Sequence, residues 1–167
     1  MEIGQETPED WWEVEALYDL CFAPGREALS SYRLRDGVPP VTHLSLVARD
    51  RYGEVVGAIR QWPVRVGGPS VHLPALLLGP VAVHPTRQGE GIGGLLIRES
   101  LGRAQGWERV MLVGDAPYYA RFGFSKLDNV VMPPPTNPDR VLGRALVPGA
   151  WDGVAGPVLR WDGPRPD

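Results

Sequence analysis

Residues 76–95 of this chain, LLLGPVAVHPTRQGEGIGGL, decide its fold, because they read as a strand, a glycine-rich loop and the start of a helix. Four glycines fall within six residues, at positions 89, 91, 93 and 94. Glycine lets the backbone approach a ligand without interference from a Cβ atom. The first turn of a helix also offers unpaired N–H groups and a partial positive charge. A tight turn alone needs fewer glycines, so this loop is interpreted as a cradle for a phosphate or pyrophosphate.

The strand before the loop contains a proline inside an otherwise apolar run. Val71–Val83 reads as a single strand that is interrupted at Gly79-Pro80. Proline cannot donate a ladder hydrogen bond, so Pro80 predicts a bulge or a splayed edge at this point.

The segments on either side predict a mixed α/β domain with a mostly antiparallel central sheet and helices on both faces. We expect the sheet to splay at the bulge, between the strands Val71–Val83 and Val110–Val113. The remaining predicted elements are a helix from about Thr7 to Phe22, a short helix over Glu27–Arg35, a hairpin of Leu44–Arg49 and Val55–Val66, a helix from Gly91 to near Gly106, a short helix over Pro117–Phe122, and two weak strands, Val141–Val147 and Pro157–Trp161.

Length and composition bound the class of protein. A chain of 167 residues is expected to form one domain, and a net charge of −3 argues against a nucleic-acid binder. The longest charge-free run is broken by glycines and prolines, so no membrane span is predicted. The amino terminus does not resemble a signal peptide. Cys21 is the single cysteine, which fits a reducing, cytoplasmic compartment, and the three histidines show no metal-ligand spacing.

The glycine loop is compatible with two kinds of cofactor. Gly89, Gly91 and Gly94 match the G-x-G-x-x-G dinucleotide fingerprint, and Asp115 lies near the spacing of its ribose-binding acid. That alternative is an NAD(P)-dependent oxidoreductase. However, five residues separate the strand from the first glycine, and too few residues follow for a doubly wound sheet.

A second interpretation fits more of the chain. Residues 88–93, QGEGIG, match the Q/R-x-x-G-x-G/A acyl-CoA loop of the GNAT superfamily of N-acetyltransferases. Residues 78–85 resemble the bulged strand of that superfamily, and residues 115–124 resemble its closing Y-x-x-x-G-F element. The chain is most similar to the small, stand-alone bacterial acetyltransferases. The resemblance implies one N-acetyltransferase domain over residues 1–167, irregular from about residue 128, that moves an acetyl group from acetyl-CoA to a primary amine in a ternary complex.

The resemblance also implies roles for particular residues. The pantetheine arm would pair with the backbone of Val81, Ala82 and Val83, and the Val81 N–H would polarise the thioester carbonyl. Tyr119 would protonate the departing CoA thiolate, whereas its neighbour Tyr118 would line the site or pack in the core. Arg87 is either a charge partner of the pyrophosphate or an exposed loop arginine. The pyrophosphate would lie on the amides of Gln88, Gly89, Glu90, Gly91, Ile92, Gly93 and Gly94.

The charged residues near the amino terminus are compatible with more than one kind of acceptor. Seven acids within residues 1–25 would attract a cationic amine, whereas three arginines, Arg26, Arg33 and Arg35, would suit an anionic acceptor. The sequence is compatible with a small-molecule or peptide amine as acceptor, with a homodimer, and with no nucleic-acid or membrane partner.

A non-catalytic acyl-CoA-binding or regulatory module is a further alternative, against which Tyr119 argues. Candidates for the base that deprotonates the amine are His84, His72, His43, Asp115 or a chain of waters, and candidates for the acceptor groove lining are Trp11, Trp12 and Trp62.

Overall fold

A mixed β-sheet forms the centre of the computed structural model, which describes residues 1–22, 30–68 and 70–166. The strands of these residues are β1 (Glu2–Gln5), β2 (Leu46–Arg49), β3 (Val55–Val66), β4 (Leu73–Val83), β5 (Arg109–Val113), β6 (Ser125–Lys126), β7 (Val130–Val131), β8 (Val141–Ala145) and β9 (Gly156–Arg160). Their order is β1-β2-β3-β4-β5-β8-β6, and β9 pairs with both β3 and β7. Among the described residues, only the β4–β5 and β7–β9 strand pairs are parallel, so the prediction of a mostly antiparallel sheet is confirmed.

Helices cover both faces of this sheet, as predicted. They are α1 (Trp11–Cys21), α2 (Ser30–Arg33), α3 (Ile92–Gly102) and α4 (Ala116–Tyr119). Successive residues of a strand point to opposite faces. Ala58 of β3 accordingly packs in the cluster of α1, whereas Ile59 packs in the cluster of α3.

The predicted bulge lies in the middle of β3 and β4. Ile59 pairs with Val81 and Gln61 pairs with Leu78, so Arg60 faces the Gly79–Pro80 step, whose peptide bond is cis. Side chains from other segments bind the two carbonyl groups of this step. The Trp62 indole N–H donates to the Gly79 carbonyl at 2.7 Å, and the Tyr18 hydroxyl donates to the Pro80 carbonyl at 3.2 Å.

The predicted splay lies directly beyond the bulge. β4 and β5 pair only at Leu76–Val110 and Leu77–Met111, although β4 continues to Val83. β5 instead pairs along its whole length with β8. The β5-facing edge of β4 therefore has no strand partner beyond Leu77 among the described residues.

Some boundaries differ from the predictions. β1 was not predicted, because it is a four-residue edge strand that depends on its pairing with β2. Thr7 begins a short 3₁₀ turn, capped reciprocally with Asp10, before α1. α3 ends at Gly102 and not near Gly106, since residues 103–106 form turns. Of the helix predicted over Glu27–Arg35, residues 30–35 are described, and the helix ends at Arg33 because a turn follows; Arg26 lies outside the described residues.

The stretch after residue 128 is more regular than its proline and glycine content indicates. β8 completes the β5 side of the sheet, and β9 pairs with the distal half of β3. No helix within the described ranges is long and apolar enough to cross a membrane.

Candidate functional site

A cleft of about 510 Å³ opens where β4 and β5 separate, and we call it the α3 cleft. The glycine loop and the first turns of α3 form one wall, and α4 with the turn after it forms the other. Its lining residues are Val81, Val83, Arg87, Gln88, Gly89, Gly91, Ile92, Gly93, Gly94, Ile97, Arg98, Tyr118, Tyr119, Arg121 and Phe122.

The loop has the backbone geometry that its glycines allow. Gly89 and Gly91 have φ angles of +83° and +80°, a left-handed region that other residues rarely adopt. Gly91 immediately precedes α3, and a Cβ atom at either glycine would have no neighbour within 4 Å. The open side of the loop is thus available to a ligand next to the unpaired N–H groups of the first helical turn.

Side chains of the loop are used mainly to hold its shape. The Gln88 amide donates to the Val83 carbonyl at 2.9 Å. Arg87 donates two hydrogen bonds to Glu90, at 2.8 and 3.0 Å, and these bonds raise the pKa of Arg87 and lower the pKa of Glu90. Glu90 is not among the residues that line the α3 cleft, and the Ala82 side chain packs against α1 on the other face of the sheet. Neither side chain lines the α3 cleft, and the roles expected of Ala82 and Glu90 depend on their backbone groups instead.

The sequence did not predict that two arginines, Arg98 and Arg121, line the α3 cleft. Arg98 lies over the Phe122 ring at 5.0 Å, and Arg121 lies over the Tyr118 ring at 4.6 Å. Neither forms an ion pair with a carboxylate of the described chain, in contrast to Arg87. Arg98 falls two turns into α3 and Arg121 just after α4, so no local motif marks either of them.

The two adjacent tyrosines occupy different parts of the site. The Tyr118 hydroxyl lies 3.7 Å from the position of a Cβ on Gly93, beside the loop. The Tyr119 ring lies against Gly114, at the end of β5, and contacts the Tyr118 ring edge-on at a centroid distance of 5.0 Å. Burial, followed by the nearby Tyr118, raises the pKa of Tyr119 to about 12. Tyr119 consequently holds its proton at neutral pH.

A second cleft of about 310 Å³ lies on the other side of the splay, and we call it the α2 cleft. Val81 and Tyr119 line both clefts, so the two spaces meet at these residues. The lining of the α2 cleft comprises Phe22, Ser31, Tyr32, Arg35, Leu77, Leu78, Gly79, Pro80, Val81, Leu112, Val113, Gly114, Asp115, Tyr119 and Arg140.

Of the four side chains considered as a base, only Asp115 lines either cleft. Its carboxylate accepts a hydrogen bond from the Tyr118 N–H at 3.3 Å and caps α4. The His84 ring caps the turn after β4 by accepting from the Thr86 N–H at 3.2 Å. His72 lies beside Arg65 at 3.3 Å, on the exposed surface, and His43 lies in the short turn before β2.

The amino-terminal acids do not form a free negative surface. Arg60 donates to Glu6 at 3.0 and 2.8 Å and to Glu15 at 2.7 Å, and its side chain is buried. Arg49 forms ion pairs with Asp10 and Glu13. Four of the seven acids are therefore neutralised locally.

The arginines and tryptophans considered for the acceptor side also separate. Arg35 lines the α2 cleft, whereas Arg33 is exposed outside it. Trp62 packs beneath Arg35, with its ring 5.0 Å from the guanidinium carbon. Trp11 and Trp12 are exposed on α1 and line neither cleft. No cluster of three metal-binding side chains occurs among the described residues.

Comparisons with known proteins agree with this architecture. Residues 2–127 match the acetyltransferase (GNAT) domain family. The uncharacterized N-acetyltransferase YhbS of Escherichia coli K12 is 34% identical over 127 residues, which cover 74% of this chain and 73% of that protein. The structure of E. coli YhbS in complex with CoA has a TM-score of 0.80 and 30% identity, covering 96% of this chain and 89% of YhbS.

A second solved structure is similar over nearly the whole length. It is a GNAT family acetyltransferase from Brucella melitensis in complex with acetyl-CoA, with a TM-score of 0.71 and 34% identity. The match covers 96% of this chain and 95% of the Brucella protein. These likenesses and the antiparallel β2–β3–β4 half of the sheet exclude the dinucleotide-binding alternative.

Proposed function

The chain belongs to the GNAT family of N-acetyltransferases, and we propose that it transfers the acetyl group of acetyl-CoA to a primary amine by direct attack in a ternary complex. One observation carries this proposal: the α3 and α2 clefts meet at Val81 and Tyr119. A donor in one cleft and an acceptor in the other would bring the thioester carbon and the amine nitrogen together there. Holding two reactants in contact in this way supplies much of the rate enhancement.

Acetyl-CoA would occupy the α3 cleft, as the complexes of the relatives with CoA and acetyl-CoA support. The pyrophosphate would bind the backbone amides of residues 88–94, at the start of α3. Arg98 and Arg121 are better charge partners for the CoA phosphates than Arg87, because Arg87 already binds Glu90. The pantetheine would pair with the unpartnered edge of β4 at Val81–Val83, as an added strand does.

The chemistry would follow from these positions. The amine nitrogen attacks the thioester carbon, a C–N bond forms, and the carbonyl oxygen becomes negative beside the Val81 N–H. The C–S bond then breaks, and Tyr119 gives its proton to the leaving sulfur. The proton that the amine loses would pass to Asp115 or to water, since Asp115 is the one carboxylate in the α2 cleft among the described residues.

The remaining parts of the proposal concern context. Residues 1–167 would form one N-acetyltransferase domain, because β8 and β9 follow the matched segment yet pair within the same sheet. The single cysteine supports a cytoplasmic location. Acetyl-CoA would be the only co-substrate and no metal would take part, as the spacing of the histidines and Cys21 supports.

The test is a thiol-release assay with acetyl-CoA and a panel of amines, amino acids and peptides, run beside calorimetry with acetyl-CoA. We expect tight binding of acetyl-CoA and amine-dependent release of CoA. Tight binding with no release for any amine would favour the acyl-CoA-binding or regulatory module instead. Absence of binding would reject both.

A further inference from the structure

The α2 cleft contains a charged side chain, Arg35, that has no counterion among the described residues. Arg35 is only 9% exposed, and its Nε atom is buried with no hydrogen-bond partner in the described part of the chain. Its near neighbours are aromatic, since the Tyr32 ring lies 4.2 Å and the Trp62 ring 5.0 Å from the guanidinium carbon. Burial lowers the pKa of Arg35 to about 10, which still leaves it positively charged at neutral pH.

A buried, unpaired guanidinium is costly to a folded protein. No aspartate or glutamate of the described chain forms an ion pair with Arg35, although Arg49, Arg60 and Arg87 each have such a partner. Proteins therefore rarely keep such a group unless a ligand completes it. The Tyr32 side chain is hydrogen-bonded to the guanidinium. A guanidinium has five N–H donors in its plane, so donors remain for a planar anion.

The position of Arg35 relates it to the proposed reaction. Its Nη2 atom lies 3.9 Å from the position of a Cβ on Gly79, so the guanidinium lies beside the bulge. Val81, two residues further along β4, lines both clefts. An anion bound to Arg35 would thus lie close to the place where the amine meets the thioester.

The other charges of the α2 cleft are consistent with a ligand of mixed charge. Arg140 is a second cation in the lining, and Asp115 is a carboxylate in the same lining that also caps α4. An acceptor with both an amine and an anionic group would match this set. Neither the paired amino-terminal acids nor the exposed Arg33 contributes to it.

We propose that the amine acceptor carries a carboxylate, as amino acids do, and that Arg35, assisted by Arg140, binds that carboxylate in the α2 cleft. Guanidinium binds carboxylate with two parallel hydrogen bonds, which would fix the orientation of the amine. This proposal rests on the proposed function, because it specifies the class of acceptor.

The first test compares matched acceptors with the full-length protein. Free amino acids are assayed beside their amides and their decarboxylated amines, with phosphoethanolamine as an amine that carries a phosphate. Loss of a hydrogen-bonded charge is expected to lower kcat/KM about 10- to 100-fold for the amides and decarboxylated amines. Equal or better turnover of those amines, or a preference for phosphoethanolamine, would overturn the proposal.

The second test uses the ratio of kcat/KM for an amino acid to that for its amide. Arg35→Met should bring this ratio close to one, and Arg35→Lys should leave it intermediate, because lysine keeps the charge without the planar fork. Arg33→Met is the matched control on the same segment and should leave the ratio unchanged. An unchanged ratio in Arg35→Met would refute the assignment, and should that variant fail to fold, Arg35→Lys and the comparison of acceptors still decide it.

The third test separates this proposal from the proposed function. N-acetylglycine and N-acetylleucine, each beside its amide, are added to the protein with CoA, and the Tm is measured. If no amine is acetylated, the proposed function fails, but a Tm increase with the two acids alone still supports a carboxylate site at Arg35. Equal effects of acids and amides, or an increase that persists in Arg35→Met, would reject the carboxylate site.

Discussion

Replacement of Tyr119 by phenylalanine tests the centre of the proposed mechanism. The change removes one hydroxyl from a ring that lines both clefts. This hydroxyl has no hydrogen-bond partner among the described residues. Its loss should therefore leave the Tm within about 1–2 °C of wild type, as substitutions that break no interaction usually do. An effect on turnover would therefore report chemistry and not unfolding.

The pKa of Tyr119 decides its role, and the usual cost of losing a general acid gives the expected fall in kcat. With a pKa of about 12, Tyr119 is protonated throughout the neutral range and acts only as a proton donor. Loss of a general acid typically costs 10²-fold or more in rate, so kcat should fall about 10²-fold, or about 2.7 kcal/mol of barrier. Affinity for acetyl-CoA should hardly change, because the phenol acts on charge that develops at sulfur during the reaction.

Steady-state thiol release with an accepted amine, beside calorimetry with acetyl-CoA, measures both quantities. Tyr118→Phe is the matched control and should be much milder, since Tyr118 faces the glycine loop. The loss in Tyr119→Phe should shrink for an acyl donor whose thiol has a lower pKa. In wild type, deprotonation of Tyr119 should cause no fall in kcat between pH 7 and 10, because its pKa is raised above that range.

Two results would refute this reasoning. If Tyr118→Phe were damaging and Tyr119→Phe neutral, the roles of the two rings would be reversed. If both were neutral, solvent and not tyrosine would protonate the thiolate.

Three other perturbations test the cradle, the donor and the bulge. Gly91→Val should lower the stability by about 1–2 kcal/mol because of its left-handed φ, and it should also abolish tight acetyl-CoA binding. The control Gly106→Val, at φ +91° beyond the far end of α3, should lower the stability equally but bind acetyl-CoA normally. Equal binding by both variants in calorimetry would reject the cradle. Acetyl-CoA at a hundredfold excess over Kd should add about 2.7 kcal/mol of stability and raise the Tm by about 5–10 °C, whereas NAD should not, and a shift with NAD alone would contradict the donor assignment. Arg60→Met removes the arginine partner of Glu6, whose side chain is 11% exposed, and the ion pair with Glu15. It should cost about 3–5 kcal/mol in urea unfolding, so a loss below about 1 kcal/mol would show that the ion pairs contribute little.

The sequence predicted correctly those strands and irregularities that depend on neighbouring residues alone. Val55–Val66 is confirmed to the residue, because an apolar run bounded by glycine turns has few alternatives. Pro80 predicted the bulge because proline has no N–H group to donate to the ladder, and the pairing of β3 with β4 shifts register at this point. β1 was missed because four mixed residues form a strand only when a partner, here β2, lies beside them.

The candidate site was predictable only where a motif is continuous in sequence. The loop of residues 88–94 and the tyrosine pair came from such motifs, and the structure brings them to one cleft. Arg98 and Arg121 carry no local signal, and their place in the cleft depends on how α3 and α4 pack. The sequence did not show that acids near the amino terminus form ion pairs, because Glu6 and Glu15 lie 54 and 45 residues from their partner Arg60.

The bulge joins the two halves of the site into one unit. Trp62 donates its indole N–H to the Gly79 carbonyl, and the same ring lies against the Arg35 guanidinium. One side chain thus fixes both the edge of β4, where the donor would bind, and the cation that would hold the acceptor. On the same face of the sheet, Tyr18 donates to the Pro80 carbonyl while its ring packs near Arg60, which faces the same step in β3. Any change that relaxes Gly79–Pro80 should therefore disturb donor and acceptor binding together, whereas a change in the glycine loop should disturb the donor alone.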